Sequence, residues 1–237
     1  EYKSNRVNIT SIYVDDKYIY AISNLNQVTY IDRYVIDGDD VQSIELKDIN
    51  CIDMFVCNEK VYFYKEKDGK SVLNRTDFST KKVEDFLTSE VKFEDGTNFN
   101  AIYNNRIYLP YGKDIVAISP DSSKFKMIKM PESENEVSGL YQDGRTLYIA
   151  QVDTHGENSK LCIIQYDLEK QKIVNEYKIF STLMQFSVKK DKLYILSFED
   201  ELIKYSMKDN GELEELKRVQ LDTTGYQFVS AGFICNN

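Results

Sequence analysis

The chain has 237 residues and a formal net charge of −9, from 39 acidic and 30 basic side chains. This charge balance disfavours nucleic acids and anionic membrane surfaces as main partners, because both repel an acidic protein. No run reaches the length of about 18 apolar residues that a membrane-spanning helix requires, so no membrane span is predicted. The 18 tyrosines and 12 phenylalanines, together with frequent Ile and Val, favour strands.

The four cysteines are Cys51, Cys57, Cys162 and Cys235, and none belongs to a Cys-x-x-Cys pair. Since the chain has a single histidine, no zinc-site spacing is present. Cys51 and Cys57 are predicted to lie on one strand, where their separation of about 20 Å exceeds the reach of a disulfide. We therefore expect four free thiols, no metal site and no cofactor.

A hairpin with an apolar residue before a tyrosine on its second strand recurs along the chain. Its tyrosines are Tyr20, Tyr62, Tyr108, Tyr148 and Tyr194, which lie 40 to 46 residues apart. Repeats of this length are typical of four-stranded propeller blades or of helical solenoid units. No segment keeps a helical period over three turns, whereas short apolar runs stop repeatedly at polar turns. The pattern therefore predicts strands.

Within each repeat the predicted order is strand, turn, strand, loop, strand, turn, strand. This order predicts an all-β protein, a β-propeller of four-stranded antiparallel blades in a single domain over residues 1–237. An extra strand at 226–235 is predicted to close the ring beside the first repeat, because the FICNN sequence at 233–237 resembles FVCNE in the second repeat. A fragment of a longer propeller stays an alternative. The five complete repeats span approximately residues 9–47, 50–87, 98–130, 137–180 and 184–221.

Turns such as Asn58-Glu59 and Asn104-Asn105, each followed by a basic residue and an apolar–tyrosine pair, resemble those in propeller repeats of bacterial surface proteins. The repeats are similar to low-density-lipoprotein-receptor-like and to quinoprotein- or lactonase-like propeller repeats. This resemblance implies the fold alone. The Tyr-Trp-Thr-Asp signature of the receptor propellers and the Trp-Asp mark of WD repeats are absent, since the chain has no Trp. No functional residue is carried over.

Candidate binding residues lie at one end of the predicted blades. His155 belongs to the longest loop within a repeat, between Asp153 and Glu157, and this loop joins the second and third strands. A histidine flanked by carboxylates can serve as an acid, a base or a metal ligand, although a solvated loop histidine has the same pattern. Tyr111 and Tyr226 fall in or beside loops at the same end, where they bind a ligand or pack at the rim. We predict a ligand-binding site of His155, Asp153, Tyr111 and Tyr226, without a catalytic residue.

The sequence predicts a non-enzymatic binding module, exported or on the bacterial cell surface, and monomeric. Its partner is predicted to be a protein, or a small-molecule or carbohydrate ligand, on the channel face, and not a nucleic acid. A cytoplasmic location stays an alternative. Two other functions also stay open: a hydrolase, lactonase or lyase at the channel mouth, and a sensory or assembly domain of a larger protein. An axial cluster of three or more acidic, His or Asn side chains would favour the enzyme.

Overall fold

The computed structural model describes residues 9–47, 49, 51, 54–68, 70–89, 100–122, 124–131, 135–153 and 160–222. Within these ranges twenty strands form five separate sheets, and no residue is helical. Each sheet has four antiparallel strands that follow one another in chain order. These sheets are the blades of a β-propeller fold, which confirms the predicted all-β class. The predicted closing strand at 226–235 lies outside the described residues.

The strand bounds agree closely with the predicted repeats. In chain order the strands are β1 (Ile9–Val14), β2 (Tyr18–Leu25), β3 (Val28–Val35), β4 (Val41–Leu46), β5 (Met54–Cys57), β6 (Lys60–Lys67), β7 (Lys70–Asp77), β8 (Glu84–Ser89), β9 (Ala101–Tyr103), β10 (Arg106–Tyr111), β11 (Asp114–Ile118), β12 (Phe125–Ile128), β13 (Val137–Asp143), β14 (Thr146–Asp153), β15 (Lys160–Asp167), β16 (Lys172–Phe180), β17 (Gln185–Lys189), β18 (Lys192–Leu196), β19 (Glu201–Met207) and β20 (Leu213–Gln220).

The chain divides into two units. The first comprises Glu1–Asn98 with Ser119–Lys124, and the second comprises Phe99–Ile118 with Phe125–Asn237. The first unit holds sheets one and two, and the second unit holds sheets three to five. The single domain over residues 1–237 stays a prediction.

Two-residue turns set the register of the inner hairpins. The backbone has positive φ at both Asn58 and Glu59, which join β5 to β6, and at both Asn104 and Asn105, which join β9 to β10. Two successive positive φ values define the type I′ turn, whose twist matches that of the strands it joins. Asparagine tolerates this conformation well, but a glutamate at this position is strained.

Both faces of the fourth sheet are buried within the second unit. On β14, Leu147 and Ile149 pack in a core shared with the third sheet. The alternate residues Tyr148 and Ala150 pack in a second core shared with the fifth sheet. Because successive side chains of a strand point to opposite faces, burying both faces requires the near-continuous apolar run that β14 carries.

The first unit has one such core, between its two sheets. Tyr20, Ile22 and Ile31 of the first sheet pack there with Val61 and Phe63 of the second sheet. In both units the first strands of successive sheets lie against one another, as β1 does against β5 and β13 against β17. Three of the recurring tyrosines, Tyr20, Tyr108 and Tyr148, therefore pack between blades, as the sequence predicts for their rings. Tyr62 instead stacks on Phe55 of its own sheet, and Tyr194 is half-buried.

The fourth strands are the exposed edges of their sheets. In β20, every residue after Leu213 is exposed, and Lys217 and Arg218 carry charge along it. Register shifts interrupt the pairing of third with fourth strands in three sheets, between Leu73 and Asn74, at Gln165/Tyr166 and at Lys204/Tyr205. Bulges and edge charges discourage pairing with strands of other molecules.

One cysteine expectation needs correction. Cys51 precedes β5 outside any strand, whereas Cys57 is the last residue of β5, so the two do not share a strand. Cys51, Cys57 and Cys162 are nevertheless free thiols, and Cys235 lies outside the described residues. Burial raises the pKa of Cys57 to about 11, which keeps it as an unreactive thiol.

Two buried threonines of the first unit test what a hydrogen bond to a buried hydroxyl contributes to stability. Thr76 is buried opposite Val61, and its hydroxyl has no hydrogen-bond partner among the described residues. Thr29 is equally buried, but its hydroxyl donates to Asn24 Oδ1 at 2.9 Å. We expect Thr76→Val to raise the free energy of unfolding by about 1 kcal/mol and Thr29→Val to lower it by a similar amount. Denaturant unfolding of both variants measures this, and equal losses would contradict it.

The strained turn between β5 and β6 gives a second stability test. We expect Glu59→Gly to raise the free energy of unfolding by about 0.5–1 kcal/mol, because glycine adopts positive φ without steric cost. In the control, Glu45→Gly in β4, where φ is not positive, should destabilise the protein. A Glu59→Gly variant that unfolds at lower denaturant concentration than the parent would show that the glutamate is not strained.

Candidate functional site

The antiparallel order of each sheet brings two kinds of connection to one end. The loop between the second and third strands lies at the same end as the connection to the next sheet, because the chain reverses at every turn. We call this the crossover end. In the second unit its described connections are residues 112–113, 129–131, 135–136, 181–184 and 197–200.

The four predicted site residues do not form a described cluster. Tyr111 is the last residue of β10, half-buried and opposite Asp114. Asp153 is the last residue of β14, opposite Lys160, but its side chain is outside the described part of the structure. His155 and Tyr226 also lie outside the described residues. The predicted site therefore stays a prediction.

Hydrogen bonds fix the turn after Tyr111. Gly112 has a positive φ of 59°, and its carbonyl accepts from the backbone N–H of Val137 at 3.0 Å. The buried amide of Gln151 donates from Nε2 to the carbonyls of Lys113 at 3.1 Å and Asn135 at 3.3 Å. The fourth sheet thus holds the turn of the third sheet in place.

Asp114 closes the same turn with a buried carboxylate. Lys129 Nζ donates to Oδ2 at 2.5 Å, and the backbone N–H of Met130 donates to Oδ1 at 3.1 Å. Burial acts to raise the pKa of Asp114, but these two hydrogen bonds outweigh it and lower the pKa below its ordinary value. Both carboxylate oxygens are occupied, so Asp114 has a structural role.

The turn between β18 and β19 has a defined backbone. The N–H of Ser197 donates to the Glu201 carbonyl at 3.0 Å, and the N–H of Asp200 donates to the Ser197 carbonyl at 3.3 Å. Asp200 has a φ of 59°, in the left-handed region. This is a hairpin loop of Phe198, Glu199 and Asp200 that ends in a left-handed residue, a common three-residue connection.

Thr182 ties this loop to the preceding crossover. Its hydroxyl oxygen accepts from the backbone N–H of Phe198 at 3.1 Å and donates to the Glu199 carboxylate. That hydrogen bond lowers the pKa of Glu199. From the other side, Gln220 Nε2 donates to the Glu199 carbonyl at 2.9 Å. Two neighbouring segments therefore fix the loop backbone.

Two phenylalanines remain exposed on this fixed framework. Phe180 is 77% exposed and Phe198 is 66% exposed, the highest values among large apolar side chains in the described part of the chain. Phe180 ends β16, two residues before Thr182, whose hydroxyl contacts the Phe198 backbone. We call Phe180 and Phe198 the phenylalanine surface.

Sequence reasoning missed both phenylalanines, although each leaves a signal. Phe198 is an aromatic residue in an otherwise polar turn, Ser197-Phe198-Glu199-Asp200. Phe180 follows the buried Ile179, so strand alternation places it away from that core. Exposed aromatic side chains of this size can mark an interaction site where they form one surface.

The described residues contain no group of three His, Cys, Asp or Glu side chains placed to hold a metal ion. In the same ranges, no helix is long and apolar enough to cross a membrane.

The ion pair at Asp114 gives a pH-dependent test. We expect Asp114→Asn to lower the free energy of unfolding at pH 7 by about 1 kcal/mol, a modest loss because Lys129 is largely exposed. A folded-state pKa below the unfolded value stabilises the protein above about pH 4. The difference from the parent should therefore shrink as the pH falls from about 4 through the lowered pKa of Asp114.

Denaturant midpoints between pH 7 and pH 2.5 measure this difference, with Asp39→Asn in an exposed turn as the control. An Asp114→Asn variant with the parental midpoint at pH 7 would contradict the structural role of this carboxylate.

Comparison with known proteins gives the fold and no family. No family model and no curated protein matches the sequence. A chain of the nidogen/laminin complex superposes with a TM-score of 0.61 at 11% identity, over 90% of this chain and 80% of that one. The extracellular domain of BT4673 from B. thetaiotaomicron gives a TM-score of 0.60 at 14% identity, over 96% of this chain but only 30% of that one.

Hydrazine synthase from Kuenenia stuttgartiensis gives a TM-score of 0.61 at 12% identity, over 91% of this chain and 67% of that one. These similar structures therefore come from an extracellular domain, a protein complex and an enzyme. The TM-scores establish a shared propeller-like fold. At identities this low they show nothing beyond the fold, and the fold alone does not choose among functions.

Proposed function

We propose that this chain is a non-enzymatic binding module that holds a protein partner through the phenylalanine surface at its crossover end. The observation that carries the proposal is the exposure of Phe180 and Phe198 beside a loop whose backbone is fixed by hydrogen bonds. Covering an exposed phenylalanine is worth about 1.5–3 kcal/mol. A preformed loop loses little conformational entropy on binding, which leaves more of that energy as affinity.

The state of the nearby polar groups supports binding over catalysis. The Asp114 carboxylate is occupied by Lys129 and Met130, and the Glu199 carboxylate is hydrogen-bonded by Thr182. Both have a lowered pKa, whereas a general acid at neutral pH needs a raised one. Among the described residues, the crossover end of the second unit thus offers apolar contact area and ionised carboxylates.

The comparisons support a location outside the cell as part of this proposal. One similar structure is an extracellular domain, and another belongs to a complex of nidogen with laminin. We propose that the partner is met at the cell surface or in the extracellular medium.

Selection from a peptide library tests the binding function. The immobilised protein is used to select from phage-displayed random 12-residue peptides, and affinities of the selected peptides are measured by fluorescence anisotropy. We expect Phe198→Ser to weaken binding at least tenfold, because central aromatic contacts dominate such interfaces. Phe180→Ser should weaken it as well.

Phe125→Ser is the matched control. Phe125 is 57% exposed in the same unit, but it begins β12 at the opposite end of its sheet. Its substitution should leave the affinity unchanged. Selected peptides that bind the Phe180→Ser/Phe198→Ser double variant as tightly as the parent would refute the proposed function.

A further inference from the structure

We infer that Phe198 and Glu199 form a subsite for an arginine side chain of the partner protein. This inference rests on the proposed function and names the chemistry that the phenylalanine surface recognises. It follows from the charge left on the loop, from the position of an aromatic ring beside that charge, and from the same arrangement elsewhere in this chain.

The Glu199 carboxylate has no Lys or Arg partner within the part of the chain that the structure describes. The Thr182 hydroxyl donates a hydrogen bond to the Glu199 carboxylate, and the Ser197 hydroxyl and the backbone N–H of Glu199 also stabilise its charge. Among the described residues, no Lys or Arg forms a salt bridge with Glu199, whereas the neighbouring Glu201 is paired with Arg218 at 2.5 Å. A cation from outside the chain would therefore meet an ionised carboxylate that lacks a partner of opposite charge.

An exposed aromatic residue precedes Glu199 in the same loop. Phe198 is the residue before Glu199, and both are exposed. A guanidinium group binds aromatic faces and carboxylates at the same time, because it is planar, weakly hydrated and rich in N–H donors. Lysine offers only a compact, strongly hydrated charge, so arginine is the better occupant.

The chain combines the same two kinds of contact, an aromatic ring and a carboxylate on one arginine, within its first unit, there from residues two apart on β8. The guanidinium carbon of Arg75 lies 4.6 Å from the centre of the Phe86 ring, and Arg75 Nε donates to the Glu84 carboxylate at 2.6 Å. Phe86 and Glu84 thus supply to an internal arginine the two contacts that Phe198 and Glu199 leave open at the surface.

Lys160 limits where the partner's arginine can lie. It is exposed and pairs across strands with Phe180, so it repels a cation at that end of the phenylalanine surface. The arginine is therefore assigned to Phe198, and an apolar side chain of the same partner segment is assigned to Phe180. The occupant is a segment that carries an arginine next to an apolar residue.

The peptide selected for highest affinity from the random 12-residue library serves as the probe. The selected peptides should share an arginine beside an apolar residue. Replacing that arginine in the probe peptide with citrulline should weaken binding at least tenfold. Citrulline keeps the shape of arginine without the charge. Glu199→Gln should weaken the arginine peptide to a similar extent and leave the citrulline peptide nearly unchanged, so that the two changes are not additive.

Glu169→Gln is the control, because Glu169 is an exposed acid in the turn between β15 and β16, away from the crossover end. Thermal unfolding of each variant checks that the fold is retained. Binding that depends on Phe198 but not on the arginine or on Glu199 would overturn this inference and leave the proposed function standing. Binding that does not depend on Phe198, or a selection that yields no binder, would overturn both.

Discussion

The burial of both faces of the fourth sheet is the constraint on which the rest of the second unit depends. A strand such as β14 must satisfy two cores at once, with Ile149 facing one neighbour and Tyr148 the other. Alternation divides its side chains between those cores, so a shift of one residue would exchange them. Tight turns prevent such a shift in the hairpins that have them, since positive φ at both Asn104 and Asn105 fixes the register of β9 with β10.

Contacts between arginine side chains and aromatic rings stabilise the third strands of the first two sheets. In two sheets, an arginine on the third strand lies opposite the recurring tyrosine: Arg33 opposite Tyr20, and Arg75 opposite Tyr62. The Arg33 guanidinium lies between the rings of Tyr18 and Phe78, at 4.4 Å and 4.3 Å. Such stacking lets a charged side chain cover apolar surface without losing contact with water.

Because both faces of the fourth sheet are occupied by packing, the binding that we propose for the second unit is assigned to loops at the ends of its sheets. Thr182 and Gln220 hold the backbone of the Phe198 loop by hydrogen bonds, while the Phe198 ring stays exposed. A rigid support with an exposed apolar side chain favours recognition, since the partner does not have to order the loop. In the proposed site, the ionised Glu199 would add a preference for positively charged partner groups.

The sequence by itself determined the blades, because hairpin turns and strand alternation are local properties. Asn104-Asn105 forms its turn whatever surrounds it, and the spacing of the tyrosines repeats the four-strand unit. Only the tertiary structure decided which loop residues are presented. Gln151 fixes the turn at Lys113, which is 38 residues away, and Thr182 fixes Phe198 across 16 residues. Exposure at a loop is the outcome of such distant contacts, and the polar turn around Phe198 marks the residue as unusual without telling whether its ring packs at a rim or stays exposed.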